Sequence, residues 1–491
     1  MAITIKVQPQ TLQPVYNPII LVLDSDKKGK ELFQYVIDVN INGVSQSRLE
    51  VQSNPDGYGV IDLHKHIESY VSYDITNPLT DLTEVKKATN SFTLYNVTLS
   101  EEYIPTIALV DIVDNGGGTL LGTTTTTHSF SAGDSIKILN SPNTNYNTTY
   151  TVAITGSSTS FAITGSFTTA VSGGEVRLSN EPATQFTSST TFSSSVAFNG
   201  VLDWTDFSSY IEETFDILAS PPGRLLTSLP NYNSTITVPS TLSDWNNVYE
   251  VRPHSRMYLN VWDRNESFNY CQIGSYDING TLIGSVSSSL VSGSTDNFVV
   301  RMALGPWNVN NSGNVTGYGS DFLTGSSYYY AQVTNDEVSV PYLFKIVDPC
   351  SKYEDYQFLF MDRLGSFLPV HFDLKSVTNV TMNKSSYKQN TGTYNATSNT
   401  WGYNTYDRGK TRLDTKVNKL IKVTSNWVTE TQARLIEEML ASPEVYHIDS
   451  NGSMFAVDIL TNTYIEKTRL NDKLINFDIE FEYSYKDSQQ K

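Results

Sequence analysis

At 491 residues the chain is too long for one hydrophobic core, and two to four domains are expected. Asp, Glu, Lys and Arg make up only 17% of it, against about 25% in an average soluble domain. Ser, Thr, Asn, Gly and Tyr take their place, which points to a large β-structured surface or assembly protein and away from a cytosolic catalyst. The net charge of −18 disfavours DNA or RNA readout, although an acidic wall also lets DNA slide past without sticking.

The start, Met1 to Pro9, alternates Ile3, Ile5 and Val7 like a strand and has no apolar signal-peptide core. No run approaches the roughly 18 apolar residues of a membrane helix. Phe33, Tyr35, Ile37, Val39 and Ile41 alternate with polar or smaller residues, and the turn signals Asn42-Gly43 and Asn54-Pro-Asp-Gly57 follow. A short helix is expected from Asp62 to Ser72 and another from Asp203 to Glu212. Each starts at a capping Asp, and they form a weak internal echo. A second echo joins Pro18–Asp24, Phe33-Gln-Tyr35 and Ile41-Asn-Gly43 to Met257–Asp263, Phe268-Asn-Tyr270 and Ile278-Asn-Gly280. It implies two related β-sandwich units.

Between roughly Thr106 and Leu178 the composition shifts. Gly116-Gly-Gly118 and Thr123–Thr127 lead into short strands at Ile136, Tyr150–Ile154, Phe161–Ile163 and Glu175–Leu178. Strand-like text flanks the segment on both sides, so a small β-domain inserted at a loop tip is expected. The stretches Asn310–Tyr330 and Asn379–Tyr406 are rich in Gly, Ser, Asn and Tyr and read as long loops that order against a neighbouring subunit. The clearest helix starts at Thr429 with a T-x-x-Q capping box to Gln432, carries Leu435, Ile436, Met439 and Leu440 as one stripe, and stops at Ser442-Pro443. Tyr446–Ile459 reads as a hairpin on Asn451-Gly452, and Phe477–Tyr485 as a strand with one apolar and one acidic face.

The fold class expected is mainly β: several Ig-like or β-sandwich domains, an inserted small β-domain, a few short helices and a C-terminal α+β element. The boundaries are 1–105 plus 182–220 for the first sandwich, 106–181 for the insertion, 221–375 for the second sandwich, 376–410 for an Asn/Ser/Tyr-rich loop and 411–491 for the C-terminal domain.

The residues nominate no chemistry. Gly409-Lys410-Thr411 resembles the end of a P-loop, but Asn404 stands where its first glycine belongs. Asp24-Ser-Asp26-Lys-Lys28-Gly29 begins like a calcium loop, but Lys28 takes a ligand position and Tyr35 that of the bidentate Glu. His64 and His66 project to different faces if helical, and His128, His254, His371 and His447 are isolated in sequence. Cys271 and Cys350 belong to no CxxC motif, so neither structural zinc nor a disulfide framework is expected. Glu212-Glu213 and Glu437-Glu438 are adjacent on helices and read as surface charge, and no Gly-x-Ser-x-Gly elbow occurs. Catalytic, cofactor and metal residues are therefore none, and the chain is expected not to be an enzyme. Tyr328-Tyr-Tyr330 and Trp401–Tyr406 fit either sugar-stacking platforms or interface anchors, the second reading being favoured.

Four segments carry a family resemblance: Gln13-Pro-Val-Tyr16-Asn17-Pro18 with Ile61–Ile67, Arg224–Pro230, Lys419–Glu430 with its capped helix, and the closing Asn471–Phe477. They resemble tail structural proteins of crAss-like and other Bacteroidota-infecting tailed phages. The resemblance is one of pattern and covers most of the chain. It implies a virion protein, made in the bacterial host cytoplasm. Copies would close into a twelve-fold or six-fold ring stacked between the portal and the distal tail, touching neighbouring tail or portal rings. DNA and ejected proteins would pass non-specifically through an acidic lumen. The alternative is a receptor-binding or fibre-type adhesin recognising host-surface glycans; the absence of collagen-like and heptad repeats argues against it.

Overall fold

The computed structural model describes residues 3–73, 85–192, 194–216, 223–230, 237–239, 241–245, 247–264, 270–289, 298–311, 321–334, 338–348, 352–461 and 476–485. Cys350 and most of the Asn471–Phe477 segment lie outside them. The chain divides into two compact units, 1–11, 18–67 and 94–195 in the first and 12–17, 68–93 and 196–491 in the second. Strands dominate both, and the helices are short, as the period-two text requires.

After an edge strand over Ile3–Val7, which pairs with Ile20–Ser25, and β1 (Leu12–Pro14), the first unit is built from β2 (Ile20–Ser25), β3 (Gln34–Ile41), β4 (Val44–Val51), β5 (Gly59–Asp62), then the helical turn α1 (His64–Ile67), β6 (Phe92–Tyr103) and β7 (Thr184–Thr191). β2 pairs with β5, whereas β3 pairs with both β4 and β6, and β6 with β7. The strands thus fall into two sheets, β2 with β5 and β3 with β4, β6 and β7, and Leu21, Leu23, Tyr35, Ile37, Val39, Tyr95 and Val97 are buried. The connection between β6 and β7 is the inserted β-domain, whose strands close on their own core of Leu109, Ile112, Leu120, Phe130, Ile136, Phe161 and Val176. Gly116, Gly117 and Gly118 all have positive φ. They make the tight turn between Ile107–Gly116 and Thr119–Thr124, conformations that a Cβ would strain.

The second unit opens with β8 (Ser195–Phe198), which pairs in parallel with β1, and the one-turn helix α2 (Trp204–Ser208). The later strands repeat the order seen above. β9 (Tyr249–Val251) leads to β10 (Tyr258–Asp263), β11 (Tyr270–Tyr276), β12 (Leu282–Ser289), β13 (Phe298–Ala303), the turn α3 (Pro306–Asn310), β14 (Tyr328–Thr334) and β15 (Tyr342–Ile346). β10 pairs with β13; β11 pairs with β12 and β14; β14 pairs with β15. This is the β2–β7 pattern strand for strand, with the insertion as the difference. The expected sandwich echo is therefore a real topological repeat. The helix echo is corrected: α1 follows β5 as α3 follows β13, and α2 has no counterpart at that place.

The β10–β13 sheet extends through β16 (Tyr356–Met361), β17 (Phe367–Phe372), β18 (Ser376–Lys388), β19 (Lys410–Thr424), β20 (Val445–Ile448), β21 (Met454–Ile459) and β22 (Asp478–Tyr483), in the order β18-β19-β22-β21-β20-β16-β17-β10-β13, with a short edge strand Val85–Lys87 paired beyond β13. Strands on both sides of residue 411 share this sheet. The helix α4 (Glu430–Ala441) starts on the expected capping box: Gln432 N–H donates to Thr429 Oγ1, and Thr429 N–H donates to Gln432 Oε1. Its stripe of Leu435, Ile436 and Met439 is buried. The β20–β21 hairpin turns at Gly452, whose φ is positive.

The loop expected over 376–410 is overturned. β18 and β19 pair continuously from Ser376↔Val423 to Lys388↔Lys410. Val377, Val380, Met382 and Tyr387 are spaced among so many Asn, Ser and Lys residues that no buried face shows in the sequence, because most of this strand has none. Tyr328–Tyr330 is also corrected. It lies in β14, with Tyr329 and Tyr330 buried in the domain's own core and Tyr328 half-buried, so Tyr329 and Tyr330 do not form the exposed platform expected.

Candidate functional site

The β18–β19 hairpin is an arm. Thirteen paired residues at about 3.4 Å each extend ~40 Å. Its root is held by β22, which pairs with β19 only over Ile421–Thr424. Beyond that point, among the described residues, the two strands pair only with each other. Every β18 residue after Ser376 is exposed. The register places Thr378, Val380 and Met382 on one face, opposite Ile421, Lys419 and Val417. Asn379, Thr381 and Asn383 lie on the other face, opposite Leu420, Asn418 and Lys416. The first face carries the exposed Val380 and Met382 beside β19 residues that are buried, Ile421 and Thr415, or half-buried, Val417; the second face is mostly polar. At its tip the small hairpin Thr393–Asn395 with Thr400–Gly402 displays Tyr394 and Trp401, and Tyr403 and Tyr406 follow, all exposed.

Charge separates the arm from the rest of the chain. Between Ser376 and Thr424 eight Lys and Arg residues meet two Asp, a net +6. With the whole chain at −18, all other residues together carry −24. An isolated two-stranded hairpin is marginal in water, so an exposed arm of this length gains its stability from what it touches.

A polar cluster lies elsewhere in the second unit. Gln357↔His371 are cross-strand partners in β16 and β17, so Asp355, two residues before Gln357, shares their face. The Asp355 carboxylate accepts hydrogen bonds on Oδ2 from His371 Nδ1 at 2.9 Å and His254 Nε2 at 3.1 Å. Burial alone would raise the Asp355 carboxyl, but the two imidazoles outweigh it and hold it well below the usual carboxylate range. Burial lowers His371, outweighing the pull of the Asp355 carboxylate. The hydroxyl of Ser255 stands 2.7 Å from His371 Nε2 and accepts the Arg252 N–H at 2.9 Å. Ser255, His371 and Asp355 thus form a serine–imidazole–carboxylate relay. Ser255 is fully buried, so its oxygen is out of reach of a substrate and the relay orients the imidazole. His254 and His371, isolated in sequence, are in fact joined through one carboxylate.

The remaining sequence candidates have other fates. Asp24 is bound by Lys28 at 3.0 Å and Lys6 at 3.4 Å, which fill the place of a cation. His64 Nδ1 lies 2.8 Å from Asp62. Lys410 and Thr411 are strand residues of the arm, far from any P-loop geometry. Glu438 is not free surface charge: it accepts from Arg363 Nη2 at 2.8 Å and Nε at 3.1 Å. Trp401, Tyr403 and Tyr406 are exposed at the arm tip, where either of their two expected roles requires them.

The fold and the arm define a class: a multi-domain β-sandwich protein with a projecting basic hairpin. No family model and no curated protein matches the chain. Among solved structures it is similar to a tetra-tandem repeat in the extending region of a large adhesion protein, at 11% identity and TM-score 0.12, covering 86% of this chain and 95% of that one. It is also similar to the phage phi92 endosialidase, at 9% identity and TM-score 0.14, covering 97% of this chain and 66% of that one. Likeness at this level carries no functional argument.

Proposed function

We propose that the chain is a structural subunit of a phage tail whose copies close into a ring stacked below the portal, around a channel for DNA and ejected proteins. The observation that carries this reading is the exposed basic arm on an otherwise acidic chain. A basic projection and an acidic surface are different patches, so two copies joined through them meet head to tail, the contact type that closes into a ring when the rotation between copies closes. Val380, Met382 and the aromatic tip supply the desolvated anchors that interfaces use. On this reading the chain carries no catalysis, its partners are its own copies and the adjoining tail or portal rings, and its place is the virion. The acidic remainder, facing a lumen, lets DNA pass without sticking. No helix among the described residues is long and apolar enough to cross a membrane.

The exposed tip aromatics favour one second reading, an adhesin that stacks sugars on Trp401, Tyr403 and Tyr406. Replacing residues 386–413 by Asn-Gly shortens the arm at the Ser385↔Asp414 pair with a two-residue turn. Light scattering after gel filtration should show the full chain as a large closed oligomer and the shortened chain as a monomer. Unchanged assembly of the shortened chain, or a full chain that is monomeric and binds glycans, contradicts the ring reading.

A further inference from the structure

We propose that His254, Asp355 and His371 form a binding site for one divalent transition-metal ion of the zinc class, which ties the start of β16 to the segment ahead of β10. Two imidazole nitrogens and a carboxylate oxygen are a zinc ligand set, with a fourth position left for water. The three ligand atoms lie within 4.8 Å of one another. A tetrahedral ion with bonds of about 2.0–2.1 Å spaces its ligand atoms roughly 3.3 Å apart. The 2.9 and 3.1 Å separations to Asp355 Oδ2 need only a few tenths of an ångström of adjustment.

Independent features support the site. Asp355 Oδ1 is buried and has no hydrogen-bond partner, an unused acceptor beside the two imidazoles. Ser255 Oγ is placed to orient His371 from behind. When Nδ1 ligates, the ring proton lies on Nε2 and is donated to that hydroxyl. His254 is 46% exposed on its side chain and borders a pocket of about 410 Å³ that also holds Asp449, giving an ion an entry path and room for a water. The nearby cations are engaged elsewhere. Arg252 pairs with Asp373 at 2.6 Å. The Arg256 guanidinium lies 4.2 Å over the Trp307 ring and donates to Gly452 O.

The test uses the full chain, stripped with a chelator and titrated with Zn2+ by calorimetry, with Co2+ as a spectroscopic probe. One ion per chain is expected, with the strong visible absorption of four-coordinate Co2+. His254→Ala, at an exposed side chain, and Asp355→Asn should each weaken Zn2+ binding by at least about tenfold. A double His64→Ala/His66→Ala chain should bind as the wild type does. A wild-type chain that takes up no stoichiometric Zn2+ overturns the proposal. So does a Co2+ spectrum of the six-coordinate aquo type, a reading that needs no variant to fold. Binding unchanged by both His254→Ala and Asp355→Asn also overturns it.

Discussion

Asp362 shows what a single side chain does in this fold. It closes the β16–β17 turn by accepting the N–H groups of Leu364 and Ser366 on Oδ1, at 2.9 and 2.8 Å. On Oδ2 it accepts the Thr227 hydroxyl and the Ser228 N–H, both at 2.8 Å. All of these partners are donors. Asp362→Asn turns an NH2 group against at least one of them and should cost about 1–3 kcal/mol in denaturant unfolding; a neutral result would mean the donors find water instead. The residues of this turn also bear on what the sequence could reveal. The Asp362–Ser366 turn sets the register that brings Asp355 and His371 to one face. No part of that cluster is legible in the sequence: His371 stands isolated there, Asp355 is brought to it only by the β16–β17 register, and His254 lies 101 residues before Asp355 with no local pattern to link them.

At the level of elements, the inserted β-domain is tied to its host by charge. Lys30 pairs with Glu175, which also accepts from the Thr106 hydroxyl at 2.9 Å, and Arg177 pairs with Glu31 at 2.8 Å. Burial alone would raise the Glu175 carboxyl, but Lys30 and Thr106 outweigh it and lower it. A carboxyl lowered on folding adds stability that is complete above its ordinary value and is lost as pH falls through the folded one. The wild type should therefore exceed Glu175→Gln by about 1 kcal/mol at neutral pH, and unfolding curves at descending pH should converge. A gap independent of pH would assign the loss to packing. Gly274, in β11, is constrained by contact: a Cβ there would stand 2.2 Å from the Tyr330 ring. Gly274→Ala should destabilise by about 1–3 kcal/mol through overpacking, read as a lowered unfolding midpoint; an unchanged midpoint would show that the ring can give way. The strands, the capped α4 and the sandwich repeat were legible because periodicity and capping are local. The arm was not. Periodicity reveals a strand when one face is buried in its own domain, and most of β18 has no such face.

For the whole molecule, the account rests on segregated charge, +6 on the arm and −24 elsewhere. Attraction between exposed groups of opposite sign is screened within about 8–10 Å at moderate salt. Assembly through the arm should accordingly weaken as salt rises from tens of millimolar towards molar, with any residual association due to Val380, Met382 and the aromatic tip. Sedimentation velocity across that range checks this, and an oligomer indifferent to salt would assign the contact to apolar burial alone. The most direct measurement is electron microscopy of the purified full chain at low salt. The account predicts closed rings of twelve or six copies, with each basic hairpin seated on the neighbouring subunit. Single particles without neighbours, or trimers with the hairpins free in solvent, would contradict it.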